Sequence, residues 1–409
     1  MPEPRQGPRG VPGATGLLAM EIRPGNPDFL DLPWTLPVAR WREKSSRLVE
    51  VPRGLSRHDV LFLQYDRTLY VAKELPPEVG QREYEALRWL EDHELPAVQA
   101  AGHARARQED GEETSVLLTR FLEGSLPFRT LFESSGLDRY RARLLDAIAG
   151  LLVRLHLAGF YWGDCSLNNT LFRRDAGELQ AYLVDAETAQ MHDTLSDGQR
   201  LQDLEILEEN VTGDLLDVEA MLGVTRREDL DHTGAEIRAR YASLWGEITR
   251  EELLSPQESW KIHDRIRTLN ALGFTVGEVK LEAIGDGSRL KMRTIVPDRD
   301  YHRHLLHALT GLTAEDRQAA LMVNELQELR ATLQRQENRS VPLAVAAYRW
   351  MSERYQPAVR KLQPLVQKRG EPQELYCQLL EHKWYLSERA RRDVGLEVAA
   401  EDYLKKFKG

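Results

Sequence analysis

Residues 163–172 read GDCSLNNTLF: a glycine, an acid at Asp164, and five positions later Asn169, just ahead of an apolar pair. The segment before it, DRYRARLLDAIAGLLVRLHLAG, sets Leu144, Ile148, Leu151, Leu152 and Leu155 on one helical stripe. Gly159 closes that helix. The segment after it, ELQAYLVDAET (178–188), has the composition of a strand ending in Asp185. An acid at the end of an apolar strand is costly unless hydrated, paired or metal-bound. A D-x4-N spacing alone is common by chance. An acid sixteen residues beyond Asn169, at such a strand end, gives the spacing weight.

Upstream the chain is rich in strand patterns. RLVEV (47–51), DVLFLQY (59–65) and TLYVAKEL (68–75) read as strands, the last two joined by the turn DRT. EVGQREYEALRWLEDHEL (78–95) has helical periodicity through Tyr84, Leu87 and Leu90. Residues 96–101 and 114–122 are strand candidates on either side of the charged stretch HARARQEDGEE, read as a loop. The expectation is five strands with one helix inserted after the third. Beyond residue 195 the pattern is mostly helical, with a hairpin over 277–296 turning at GDG.

These parts have the order that phosphoryl transfer needs: a lysine for the phosphates, an acid to hold that lysine, an acid near the attacking hydroxyl, and oxygen ligands for magnesium. Lys73 closes the apolar strand YVAK, in a chain of only 11 lysines against 44 arginines. Its bland reading is an edge-strand lysine reaching for water. Glu83, ten residues on in the next helix, is its expected partner, with Glu85 as the fallback. Asp164 would accept or orient the hydroxyl proton, and Asn169 and Asp185 would hold Mg2+ through oxygen. His156 is read as an architectural histidine bonding the loop backbone. The loop PRGLSRH (52–58) has a single glycine, Gly54. Its backbone could still meet phosphate, with Ser56 as a donor and Arg57 as the positive charge, though an ordinary hairpin loop has the same composition. Arg120 and Leu122, ending the strand 114–122, complete the nucleotide-side candidates.

YVAKEL, the REYEALRWL helix, LHLAGFYWGDCSLNNTLF and YLVDAET together resemble the protein-kinase-like superfamily, and its lipopolysaccharide (Kdo) kinase-like branch in particular. GNPDFLDLPW, GLSRH, WGDCSLNNTLFRRD and EHKWYLSERARRDVGL further resemble an uncharacterised bacterial family with a C-terminal domain of unknown function. The first resemblance covers about 45–195, the second nearly the whole chain from about 21. It implies an α+β, two-lobed protein-kinase-like fold: a small antiparallel β-sheet lobe with one helix, then a helical lobe. A mostly helical C-terminal region with a β-hairpin would follow. It also implies ATP and Mg2+ for Lys73, Asp164, Asn169 and Asp185. The expected divisions are a disordered tail 1–20, an extended arm 21–45, an N-lobe 46–123, a catalytic lobe 124–200 and a C-terminal region 201–409. Two departures stand out. Asp185-Ala186-Glu187 replaces D-F-G, and Gly163 replaces the arginine of H-R-D, and both argue against a conventional regulated signalling kinase. Glu187 would add a second metal-facing carboxylate. Ser166 stands where protein kinases carry a lysine near the γ-phosphate. The leading expectation is an ATP-dependent phosphotransferase acting on an unidentified small-molecule or protein acceptor. The alternatives are a nucleotide-binding pseudokinase whose C-terminal region regulates or scaffolds, and transfer of AMP from the same pocket.

Composition narrows the field. A net charge of −10 argues against general nucleic-acid binding, although residues 341–409 carry 13 Lys and Arg against 9 Asp and Glu. No stretch of about 18 uncharged apolar residues occurs, so no membrane span is expected. Two cysteines, Cys165 and Cys377, are expected to be free thiols in a reducing cytoplasm. The Pro/Gly/Arg-rich start has no secretory h-region, and Met20 is a candidate true start. The histidines of YHRHLLHAL (301–309) diverge around a helix and are not read as a metal site.

Overall fold

The computed structural model describes residues 16–50, 60–128, 130, 137–176, 178–222, 232–255, 258, 260–271, 278–284, 289–295, 301–337, 340–369 and 371–407. They fall into two compact units. One comprises 1–172 with 181–238, the other 173–180 with 239–409.

The first unit begins with a sheet. Its strands are β1 (Leu17–Ile22), β2 (Leu48–Val49), β3 (Val60–Tyr65), β4 (Thr68–Leu75), β5 (Ala100–Arg107) and β6 (Glu113–Arg120), in spatial order β1-β5-β6-β4-β3-β2. The sheet pairs antiparallel throughout. Two sequence expectations change here. Strand β1 uses residues 17–20, which had been assigned to a disordered tail, and pairs with β5 through Met20 and Ala104. HARAR, read as loop, is the body of β5. Its small Ala104 and Ala106 are buried while Arg105 and Arg107 reach solvent and pair with Glu113. The arginines mask a period-2 strand because their long stems tolerate a solvent-facing row.

The two faces of this sheet have different jobs. One face buries Leu61, Leu63, Tyr70, Ala72, Val116 and Leu118 against the arm, where Phe29, Trp34 and Trp41 are almost fully buried. Trp34 and Trp41 meet edge to face, and each indole N–H donates to a backbone carbonyl, those of Phe29 and Leu36. The extended arm is therefore the second layer of the small lobe. The other face carries Lys73 and receives α1 (Pro77–Asp92), which begins with a proline in its first turn.

The helical lobe starts with α2 (Leu137–Leu157), then β8 (Phe160–Tyr161), which pairs with β11 (Gln190–Met191). Between them run β9 (Thr170–Asp175) and β10 (Glu178–Leu183), in a sheet ordered β10-β9-β7 with β7 (Leu126–Pro127). Helix α3 (Asp197–Leu222) follows, so the boundary drawn at 200 falls inside a helix. Helix α4 (Thr233–Thr249) then leads onward. β9, whose TLFRRD pattern is polar at its end, was not anticipated.

The second unit holds β12 (Glu252–Leu254), α5 (Trp260–Ala271) and the hairpin β13 (Glu278–Ile284) and β14 (Arg289–Ile295), ordered β12-β14-β13. Its helices are α6 (Tyr301–Thr310), α7 (Asp316–Glu337), α8 (Leu343–Trp350), a π-helical turn (Met351–Tyr355), α9 (Gln356–Lys361), α10 (Gln363–Arg369), α11 (Pro372–Ala390) and α12 (Gly395–Phe407). They close on Met322, Leu326, Trp350, Tyr376 and Leu379. The architecture is thus an antiparallel sheet lobe, a helical lobe and a mostly helical C-terminal region with the hairpin expected from the sequence.

Candidate active site

Lys73 and Val60 face each other across β3 and β4, and α1 packs on that side. The helix brings Glu83 to the lysine: Nζ lies 3.2 and 3.0 Å from the two Glu83 oxygens. Asp185 Oδ2 is 2.7 Å from the same nitrogen, and Glu187 is 3.8 Å away. One ammonium therefore serves three carboxylates. Burial opposes the charge on Lys73, but Glu83 and Asp185 outweigh it and hold its pKa above the ordinary lysine value. The fully buried Glu83 is pushed up to about 7 by burial and by the charge of Asp185, against the pull of Lys73. Glu83, Asp185 and Glu187 offer oxygens close enough together for one cation. Asp185 lies two residues past the end of β10. Its Oδ1 accepts the Glu187 N–H, and its carbonyl accepts the Trp162 indole N–H at 2.8 Å.

The loop 162–169 is held from below by α3. Asp203, Asn210 and Asp214 are spaced 7 and 4 residues apart, which keeps them on one stripe of a helix with 3.6 residues per turn. Asp203 accepts the backbone N–H of Trp162 at 2.8 Å and of Gly163 at 2.7 Å. Asn210 reaches Asp164 and Cys165. Asp214 accepts the N–H groups of Leu167 at 2.8 Å and Asn168 at 3.1 Å, and also the Asn168 amide. Burial raises the Asp214 pKa against these donors. Loop and helix run side by side like rungs, one polar residue for each pair of loop positions. None of the three was picked out from sequence. Their signal was a polar residue recurring beside Leu204, Leu207, Val211, Leu215 and Val218.

His156 is buried, with Nε2 3.1 Å from Asp203 Oδ2. It thus meets the carboxylate that gathers the loop amides, a link the sequence reading did not contain. Two glycines are obligatory here. Gly159 has φ +86°, and a Cβ there would collide with the His192 carbonyl. Gly163 has φ +78°, with Thr188 O 3.0 Å from where a Cβ would sit. The residue in place of the H-R-D arginine is therefore dictated by backbone shape. Cys165 is fully buried and its thiol is pushed well up by burial and by Asp203, which makes it a packing residue.

Asn169 donates Nδ2 to Asp164 Oδ2 and to the Asp164 carbonyl, both at 3.0 Å. Among the described residues its Oδ1 accepts no hydrogen bond. Val184 N–H donates to the Asn169 carbonyl at 3.1 Å, which ties the loop to the Asp185 segment. Ser166 Oγ accepts the Asn169 N–H at 3.0 Å. The expected nucleotide-side residues are not all brought together. Gly54, Ser56 and Arg57 lie outside the described residues. Arg120 sits on the sheet face opposite Lys73, and its guanidinium donates to Asn26 Oδ1 at 2.8 Å and the Gly25 carbonyl at 2.7 Å. Leu122 is half-buried just beyond β6. On the Lys73 face, Phe62 and Phe121 meet edge to face at 5.9 Å, a pair the sequence reading passed over.

Residues 63–237 match the lipopolysaccharide kinase (Kdo/WaaP) family, and residues 243–407 match a domain of unknown function (DUF4032). No curated protein matches the chain. A solved structure described as "WaaP in complex with acyl carrier protein" aligns at 17% identity and a TM-score of 0.34, over 55% of this chain and 89% of that one. No helix among the described residues is long and apolar enough to cross a membrane. The chain thus carries a kinase-like segment similar to the lipopolysaccharide kinase (Kdo/WaaP) family, followed by a segment similar to the DUF4032 domain.

Proposed function

We propose that the first unit is an ATP- and Mg2+-dependent phosphotransferase acting on a hydroxyl of a small molecule or protein. The observation that carries this reading is Lys73, held 3.0 Å from Glu83 and 2.7 Å from Asp185. A lysine fixed by a helix glutamate and facing a metal-binding acid is what a triphosphate requires. Val71, Phe62 and Phe121 give the base an apolar surface on the same face, with Leu122 next in the chain.

The acceptor hydroxyl oxygen attacks the γ-phosphorus. The bond from that phosphorus to the β–γ bridging oxygen breaks, and its electron pair leaves with ADP. The hydroxyl proton passes to Asp164 and then to solvent. Lys73 meets the phosphate charge, and Glu83 keeps Lys73 in place. The donor set is all hard oxygen and fits magnesium: Asn169 Oδ1 and Asp185, with Glu187 beside them. A cation bound there neutralises phosphate charge. The two buried, unpaired cysteines support a reducing compartment such as the cytoplasm.

Mg2+-dependent stabilisation by ATP, read as a melting shift, followed by ADP release from the parent and from Asp164→Asn, tests the proposal. The expected result is binding by both, with turnover lower in the variant by about 10²–10⁴. Nucleotide binding without turnover by the parent would instead support the pseudokinase reading, which the altered Asp185-Ala186-Glu187 motif favours. A parent that binds no nucleotide overturns both.

A further inference from the structure

Asp164 is gripped by two asparagines in matching ways. Asn169 Nδ2 bonds the Asp164 carbonyl and Oδ2. Asn210 Nδ2 bonds Asp164 Oδ1 at 3.0 Å and the Cys165 carbonyl at 3.1 Å. A primary amide has two N–H donors. In each asparagine one bonds a carboxylate oxygen and the other a backbone carbonyl of this dipeptide. The two grips differ in what stands behind them. Asn169 belongs to the loop itself and moves with it. Asn210 belongs to α3, between Asp203 and Asp214, which bond the loop amides on either side.

A carboxylate on a turn has two soft torsions. The Asn169 bond restrains one oxygen relative to the loop. Among the described residues only the Asn210 bond refers the other oxygen to the helix. We infer that Asn210 is a positioning residue for the Asp164 carboxylate, a role that rests on the phosphotransferase reading. Its amide fixes the rotation of that carboxylate toward the incoming hydroxyl. In this role Asn210 acts through Asp164, with no contact of its own to nucleotide or acceptor required. On the phosphotransferase reading Asn169 has a second duty, as the residue whose Oδ1 would hold the cation. Asn210 has none, so the two residues separate experimentally.

The full chain is assayed for ADP release with MgATP, and for MgATP affinity by calorimetry. Asn210→Ala is expected to lower kcat by about 10²-fold, the scale set by misplacing a reacting group by an ångström. KM and Kd for MgATP should stay within about twofold, and so should the Mg2+ concentration for half-maximal rate. Asn169→Ala, by contrast, should raise that Mg2+ requirement. Asn210→Asp fills the same space without the N–H donors and should lose at least as much rate. It carries the decision if the alanine variant unfolds at the assay temperature. A parent without turnover sinks the phosphotransferase reading, whatever Asn210 does. An active parent whose Asn210→Asp variant keeps kcat within threefold overturns the inference. So does a rate loss matched by an equal loss of MgATP affinity.

Discussion

Two carboxylate centres, one in each unit, are built on opposite principles. At Lys73, three acids share one ammonium, and the most buried of them, Glu83, is pushed up to about 7. At Glu325 a single acid gathers three donors. The Trp350 indole and the Tyr376 hydroxyl both lie 2.7 Å from Oε2, and Arg354 lies 3.2 Å from Oε1. Trp350, Tyr355 and Tyr376 pack around it at ring distances of 5.0–5.7 Å. The second centre is balanced, one carboxylate facing one guanidinium and two neutral donors. The first is short of positive charge, a state that burial makes expensive. A balanced buried network specifies a core. An unbalanced one is an arrangement that a bound cation would complete on the proposed phosphotransferase reading.

The widest test of this contrast is Asp185→Asn. It removes a charge from a centre with too many, so the melting temperature should not fall. Turnover should drop by at least about 10²–10³, the scale of deleting one preorganised electrostatic group. A variant that melts lower while keeping its rate would show that Asp185 is structural and that the contrast is misplaced. Glu325→Ala should do the reverse. It strips the acceptor from two buried donors, at about 3 kcal/mol, or roughly 6–12 °C in a unit of this size. ADP release measured below the melting transition should match the parent. Unchanged melting would mean the Glu325 centre is not structural.

The same contrast explains what could be read in the sequence. Lys73, Glu83, Asp164, Asn169 and Asp185 stand out because each is an unexpected residue in its local pattern, such as a lysine in an apolar strand or an acid at a strand end. The structure brings these five into one unit, around the 163–169 loop. Asp203, Asn210 and Asp214 do not stand out. On an acidic helix rich in Glu and Asp, a polar residue facing inward has the same letter as one facing water. Only the register of the loop against α3 tells them apart, and that register is long-range. The arm was legible as extended, but the sheet face it packs on was not, because its tryptophans have no periodicity. β5 was hidden because alanine marks neither strand nor core strongly. In the second unit the hairpin was legible from its alternation and its turn. The Glu325 network was not, since its members are scattered over α7, α8, the π-helical turn and α11.

Asp175 offers the finest test, because it lies between the two extremes. It sits at the end of β9, buried, and accepts the backbone N–H groups of Arg317 at 3.0 Å and Gln318 at 2.9 Å, at the start of α7. Those amides are favourable partners for a carboxylate at a helix N-terminus. Nearby Glu374 accepts the Ala176 N–H at 2.7 Å and the Gln318 amide at 3.0 Å. Burial prevails over the amides and pushes Asp175 up to about 6. A raised pKa means that the folded chain holds this proton where the unfolded chain has released it. The stability due to Asp175 is therefore greatest below about pH 4, falls between about 4 and 6, and levels off above that. The full span is roughly 3 kcal/mol for a shift of about two units. Asp175→Asn cannot titrate, so the parent-minus-variant difference in melting temperature should fall with pH across that window and be flat above it. If the difference is instead flat from pH 4 to 7, the amides match the burial. Asp175 would then belong with Glu325 among the balanced centres.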